Sequence, residues 1–230
     1  MLYKVLNEDG TPYHGGYGAW SLPAKNDDGT WTPGEWMPPI GGELVLCENG
    51  YHLCRDGQVL EWLGPALFEA EYRGEVVEGD NKLVVREARL LRQLETWNDR
   101  AQRLFACDCA ERVLPLFENE SPDDKRPRLA IETARRFANG EATQDELRAA
   151  RAAAGAAARA AAGAAAGAIA RNAAGAIARN AAWDAARNAA WAAASAESWD
   201  AAWDAARDAG TEPERGRQYA RLCEYLDGRV

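Results

Sequence analysis

Apolar and polar residues alternate in short stretches over the first ninety-odd positions, then settle into a helical rhythm. Leu2–Leu6, Glu43–Cys47, Leu67–Tyr72 and Lys82–Leu91 are rich in β-branched, aromatic or alternating apolar residues, and each predicts a strand. In the third, Phe68, Ala70 and Tyr72 share one face while Glu69 and Glu71 take the other. The segment DGQVLEWLG predicts a short helix capped by Asp56, with Leu60 and Leu63 inward and Gly64-Pro65 as its stop. Beyond residue 95 the period lengthens. Phe105, Cys109, Val113 and Phe117 recur at every fourth position, which marks a buried helical stripe. Thr96 or Asn98 would cap that helix, and Pro115 should kink or end its last turn. A second helix follows ENESPDDKRP, with Pro127 at its first position, Ala130, Ala134 and Phe137 inward, and Asn139-Gly140 closing it.

Residues 141–209 are dominated by Ala, and every fourth position from Arg151 carries Arg, Gly, Trp or Ser. Ala makes helix the default. A four-residue period drifts about 40° per repeat around a helix, so one straight helix of roughly 100 Å would have no fixed apolar face. Two or more shorter helices, with Trp183, Trp191, Trp199 and Trp203 filling the wider gaps and glycines as weak points, fit the pattern better. Replication slippage would produce the same repeat without any function. Thr211 and Glu214 form a capping box for a terminal helix whose apolar side is Tyr219, Leu222, Tyr225 and Leu226. The fold class is therefore α+β: a β-rich domain at 1–94, a helical pair at 95–140, and an Ala-rich helical region at 141–230.

Composition sharpens this picture. The formal net charge of −9 removes the whole-chain field that drives binding to extended nucleic acid. The N-terminus turns polar within a few residues and the Ala-rich stretch is broken by Arg, Asn and Asp, so neither export nor membrane spanning is expected. Five cysteines, two of them in a C-x-C at Cys107 and Cys109, fit a reducing cytosol better than a disulfide framework.

Two resemblances add context. The stretch RLFACDCAERVLPLFENESPDDKRPRLAIETARRFANGEAT resembles the core of an Ala-rich helical family of immunity proteins from bacterial toxin systems, through Cys109–Glu118, Asp123–Arg128 and Ala130–Arg135. Gly50, Tyr51, His52, Leu53 and Cys54, with a later ARLLR, are similar to a strand pattern of an uncharacterised domain of phage and prophage proteins. The first implies neutralisation of a partner; the second implies a mobile-element setting. Neither supplies a catalytic residue.

Four clusters could carry chemistry. Cys47, His52 and Cys54, joined by Cys107 and Cys109, have the residue types of a zinc site. They lack paired ligand knuckles, so core cysteines in apolar strands are the favoured reading and no metal or cofactor is expected. His14 and His52 are the only histidines, and no nucleophile elbow, P-loop or dinucleotide fingerprint occurs; the glycines at 15, 16 and 18 precede no helix. One enzyme alternative survives, an ADP-ribosyltransferase-like or nucleotide-processing fold with Glu69 or Glu71 as the acid. The Gly- and Pro-rich loop from Tyr13 to Pro39 is too aromatic to sit in water. Tyr17, Trp20, Trp31 and Trp36, with His52 and Arg55 or Arg86 nearby, are candidates to hold a small nucleotide-like ligand; a hydrophobic cap over the sheet is the alternative. Arg126, Arg128 and Arg135 are candidates for an anion, against simple pairing with Asp123, Asp124 and Glu132. The leading expectation is a non-enzymatic binding protein of phage or bacterial conflict that neutralises a toxin, a defence protein or a small signal. Self-assembly through the Ala/Trp helices, giving a homo-oligomer, is a structural alternative.

Overall fold

The computed structural model describes residues 1–169 and 212–230. The chain divides into two compact units, Met1–Asn98 with Cys223–Arg229, and Asp99–Leu222 with Val230. The architecture is α+β: strands to Gln93, then helices.

The first unit is built on a small closed barrel of strands β1 (Leu2–Leu6), β4 (Tyr51–Arg55), β6 (Leu83–Gln93) and β5 (Ala66–Glu78), in the order β1-β4-β6-β5. All pairings are antiparallel, and β1 closes the circle: Tyr3 lies opposite Cys54 on one side and Glu69 on the other. Register shifts at Glu69/Ala70 and Arg73/Val76 bend the long β5–β6 ribbon, as bulges do where a sheet must curve. Leu6, Leu53, Phe68, Leu83, Val85 and Leu90 fill the interior together with Trp20. A 3₁₀ turn over Asp56–Glu61 covers the other face through buried Val59 and Leu60. Leu60 and Leu63 point inward as the pattern predicts, but Asp56 is not the cap. It adopts φ 32°, and Gln58 Oε1 instead accepts the Arg55 N–H at 2.8 Å.

The predicted strand Glu43–Cys47 does not form. Val45 makes one isolated bridge to Asn49, and Cys47 turns to φ 68°. The free edge of β6 explains this, because the loop already occupies it. Gly34, Met37 and Ile40 donate their N–H groups to the carbonyls of Leu90, Ala88 and Arg86 at 2.9, 2.9 and 3.0 Å. A Pro-rich strap with a three-residue period thus covers a strand edge that would otherwise present unpaired backbone. Within the loop, β2 (Ala24–Lys25) pairs with β3 (Trp31–Thr32). The GYHLC segment that carried the phage resemblance is β4.

In the second unit α1 (Asp99–Glu120) runs through Pro115 without ending there. Phe105, Cys109 and Phe117 of the predicted stripe are buried. Thr96, offered as its cap, lies in the first unit and donates instead to the Leu226 carbonyl at 2.8 Å. Helix α2 (Arg126–Ala138) packs on α1 and on α3 (Gln144–Ile169). Ala130, Ile131 and Ala134 form its inner face, and Phe137 is half-buried. Helix α3 continues through Gly155, Gly163 and Gly167 over 26 residues, about 39 Å at 1.5 Å per residue. Trp183, Trp191, Trp199 and Trp203, and with them the expected number of helices, lie outside the described residues, as does Thr211. Helix α4 (Glu212–Leu226) ends the chain, with Leu222 and Tyr225 buried.

The strap offers a stability test. A Cβ on Gly34 would meet the Ser21 carbonyl oxygen at 2.0 Å, backbone that cannot swing aside. Gly34→Ala is expected to cost about 1–3 kcal/mol in urea unfolding, as overpacking does. Gly57→Ala, which meets nothing within 4 Å, should stay within roughly 0.5 kcal/mol of the wild type.

Candidate functional site

By strand alternation Lys4 shares a face with Leu2 and Leu6, so closure of β1 into the barrel draws its ammonium away from water. Its Nζ donates to the His52 carbonyl at 3.0 Å and lies 4.9 Å from the centre of the Trp20 ring. The space beside it is a cleft of about 640 Å³, within the range of small-ligand sites. Strand β1 supplies Tyr3, Lys4 and Val5, and the glycine loop supplies Tyr13 to Tyr17. Cys47 to His52, Trp62 and Lys82 also line the cleft.

Lys82 Nζ stands 4.2 Å above the Trp62 ring. The chain has four lysines, and among the described residues only Lys25 and Lys125 meet a carboxylate, Glu95 and Glu118 respectively. The two cleft lysines rest on π faces, which attract a cation without neutralising it. Glu48 is the single carboxylate of the lining.

The ionisable groups respond to this desolvated, positive setting. Burial lowers Lys4 to about 8, helped by Lys82 and opposed by Cys54. Burial also lowers His52 to about 4, with Lys4 and Lys82 adding to the effect, and pushes the Cys54 thiol up to about 12. His52 Nε2 accepts the Cys47 N–H at 2.8 Å, so the ring is neutral with its proton on Nδ1, and it holds the strained Cys47 backbone. His14 Nε2 donates to the Trp62 carbonyl at 2.7 Å, and burial lowers it as well. A neutral imidazole already spent as an acceptor, beside a protonated thiol, is poorly placed for acid–base or nucleophilic work. Two cations among rings suit the holding of an anion.

Of the candidate ligand residues, Tyr17, Trp20 and His52 line the cleft and Trp31, Trp36 and Arg55 do not. Trp36 sits between the Arg73 and Arg89 guanidiniums, at 4.4 and 4.8 Å. Trp31 lies under Lys25, and Arg55 is bound to Glu78 at 2.9 Å. Arg86 is likewise tied, to Glu75 and to the carbonyls of Ile40 and Gly42. The alternative in which the rings cap the sheet describes Trp20, buried in the core. It does not describe Tyr17, whose ring is fully exposed. Lys4, Lys82 and Trp62 were missed, although LYKVL places a charge at a position whose neighbours two residues either way are both leucine.

Arg126, Arg128 and Arg135 do not converge on one point. Arg126 pairs with Asp124 at 2.5 Å, Arg128 with Glu118 at 2.5 Å, and Arg135 with Asp108 and Glu111 at 2.5 and 2.6 Å. Burial is the largest single influence on Arg135 and opposes its charge, but the hydrogen bond and charge of Asp108, with smaller contributions from Cys107 and Glu111, together outweigh it. Asp108 also accepts from Arg221 at 2.6 Å. Cys54 is buried in β4 and Cys47 is exposed in its turn, not in a strand; Cys107 and Cys109 are buried in α1.

Two measurements check the electrostatics. Between about 8 and 10.5 the folded chain holds the Lys4 proton less firmly than the unfolded chain does, so its penalty is complete below 8 and fades as pH rises. The unfolding free energy of the wild type relative to Lys4→Met should therefore climb across that window in denaturant titrations at stepped pH. Nitrogen chemical shifts of His52 should report a neutral ring with Nδ1 protonated at pH 6, and a midpoint near 4.

Residues 92–225 match the family described as Imm-5 like putative immunity protein, a span that contains the CAE-x-VLPLFE and DD-x-RPR segments. No curated protein and no solved structure matches. The match spans more than half of the chain's length, and the chain belongs to the Imm-5 like putative immunity protein family.

Proposed function

We propose that the protein neutralises a toxin by binding it, without turnover, in conflict between bacteria or between phage and bacterium. The match of residues 92–225 to an immunity family carries this reading. A protein partner follows from the family, and a defence protein is the nearest variant of the same role. Sixteen carboxylates against eight cationic side chains between residues 1 and 98 give the front of the chain nearly all of the net charge. Such a surface favours encounter with a basic partner. No helix among the described residues is long and apolar enough to cross a membrane, which is compatible with action in the cytosol. The likeness of the GYHLC strand to phage domains supports a mobile-element setting.

The enzyme alternative finds less support. Glu69 and Glu71 lie outside the cleft and are held by Arg92 and Arg89 at 2.7 and 2.5 Å. Neither carboxylate is free to act on a ligand bound beside Lys4.

Co-expression with toxin domains encoded beside the gene tests the proposal. One of them should lose its effect on growth and should form a stoichiometric complex with the full chain in native mass spectrometry. Rescue without a complex would overturn the reading. So would consumption of NAD or a nucleotide by purified protein that is lost in Glu69→Gln or Glu71→Gln.

A further inference from the structure

The barrel cleft lies in residues 1–98, almost wholly outside the span that matches the immunity family. Its chemistry therefore calls for its own account. An acidic module should scatter its few cations among its carboxylates, and on the outer face of the barrel it does so: Arg73, Arg86, Arg89 and Arg92 meet Glu87, Glu75, Glu71 and Glu69. The cleft breaks this rule. Lys4 and Lys82 both face it, and among the described residues neither meets a carboxylate.

Holding a desolvated ammonium without a counter-ion costs stability, because burial disfavours its charged form. Lys4 offsets part of that cost with the His52 carbonyl and the Trp20 ring, neither of which carries a negative charge. Lys4 and Lys82 thus line one 640 Å³ space, close enough for Lys82 to disfavour the Lys4 charge, with several rings in the same lining. Tyr17, also in the lining, stands fully exposed in a loop whose glycines 15, 16 and 18 all adopt positive φ. A large ring in such a position is available to stack on another ring.

We propose that the cleft binds a small ring-bearing phosphate ester of the nucleotide class, with Lys4 and Lys82 at the phosphate and Tyr17 stacked on the base. Charge selects a phosphate over a neutral heterocycle, and the aromatic side chains of the lining favour a ring-bearing ester over the bare ion. The acidic surroundings favour a free nucleotide over the end of a nucleic acid chain, whose further phosphates would be repelled. The neutral His52 and Cys54 leave the ligand intact, so the site holds rather than transforms.

Calorimetric titration of the full chain with AMP, UMP, adenosine and inorganic phosphate decides this. Saturable binding of AMP or UMP is expected, at least about tenfold tighter than adenosine or phosphate alone, since both the charge-assisted bonds and the stacking contribute. Lys4→Met, Lys82→Met and Tyr17→Ala should each weaken it by about tenfold or more, by the same principles. Lys25→Met and Lys125→Met, whose ammonium groups already have carboxylate partners, should not change it. Lys82→Met keeps the test decisive if Lys4→Met disturbs the barrel. No saturation by either nucleotide at several millimolar would overturn the proposal, as would equal affinity for AMP and adenosine, or binding indifferent to Lys82→Met. Tighter binding of a 5′-phosphorylated decanucleotide than of UMP would overturn the assignment to a free ligand. None of these results bears on toxin neutralisation, which is read by growth and complex formation.

Discussion

Everything distinctive about the front of this chain depends on β1 pairing on both of its edges. Five residues close a barrel of four strands, with Tyr3 opposite Cys54 and Glu69 at once. Closure removes the exposed edges that a small open sheet would present. Alternation along β1 puts Lys4 on the face of Leu2 and Leu6, which pack on the core, while Tyr3 and Val5 are buried on the other. The desolvated ammonium, the depressed His52 and the cleft around them follow from that one geometric condition. The strap over 34–40 completes it, covering the part of β6 that β4 leaves unpaired.

The same unit separates its charges by role. On the outer face, cross-strand arginine–glutamate pairs line β5 and β6, the arrangement expected of exposed antiparallel strands. Such half-exposed pairs contribute little each, but they leave no cation idle. Against that background Lys4 and Lys82, which meet no carboxylate among the described residues, are the exception, and both line the cleft.

In the helical unit the segments that signal the immunity family are also those that fasten its helices. Arg128 of the DD-x-RPR segment binds Glu118 of the preceding VLPLFE, and Arg135 reaches back to Asp108 and Glu111. Arg221 completes the set on Asp108. Phe105 and Phe117 of α1 and Ala130 and Ala134 of α2 are buried as the two helices pack together. The charged turn is best understood as a clasp between α1 and α2, and the anion reading of these arginines gains no support from it.

Local pattern by itself determined much of this protein. Alternation placed β1 to the residue, and gave β5 and β6 cores that the structure lengthens. The four-residue rhythm found α1, and Pro127 with Ala130 and Ala134 found α2, because those signals are carried by neighbours along the chain. The motif at 109–135 was enough to recognise the family. Tertiary structure alone decided the rest. ELVLC reads as a strand, yet no edge of β6 was left for it, and only the folded strap reveals that. Trp20 and Trp36 look alike in the loop, but one is swallowed by the core and the other is clasped by two arginines. Lys4, Lys82 and Trp62 are far apart in sequence and become one site only when the barrel closes, because desolvation and electrostatic coupling depend on distance through space and not along the chain.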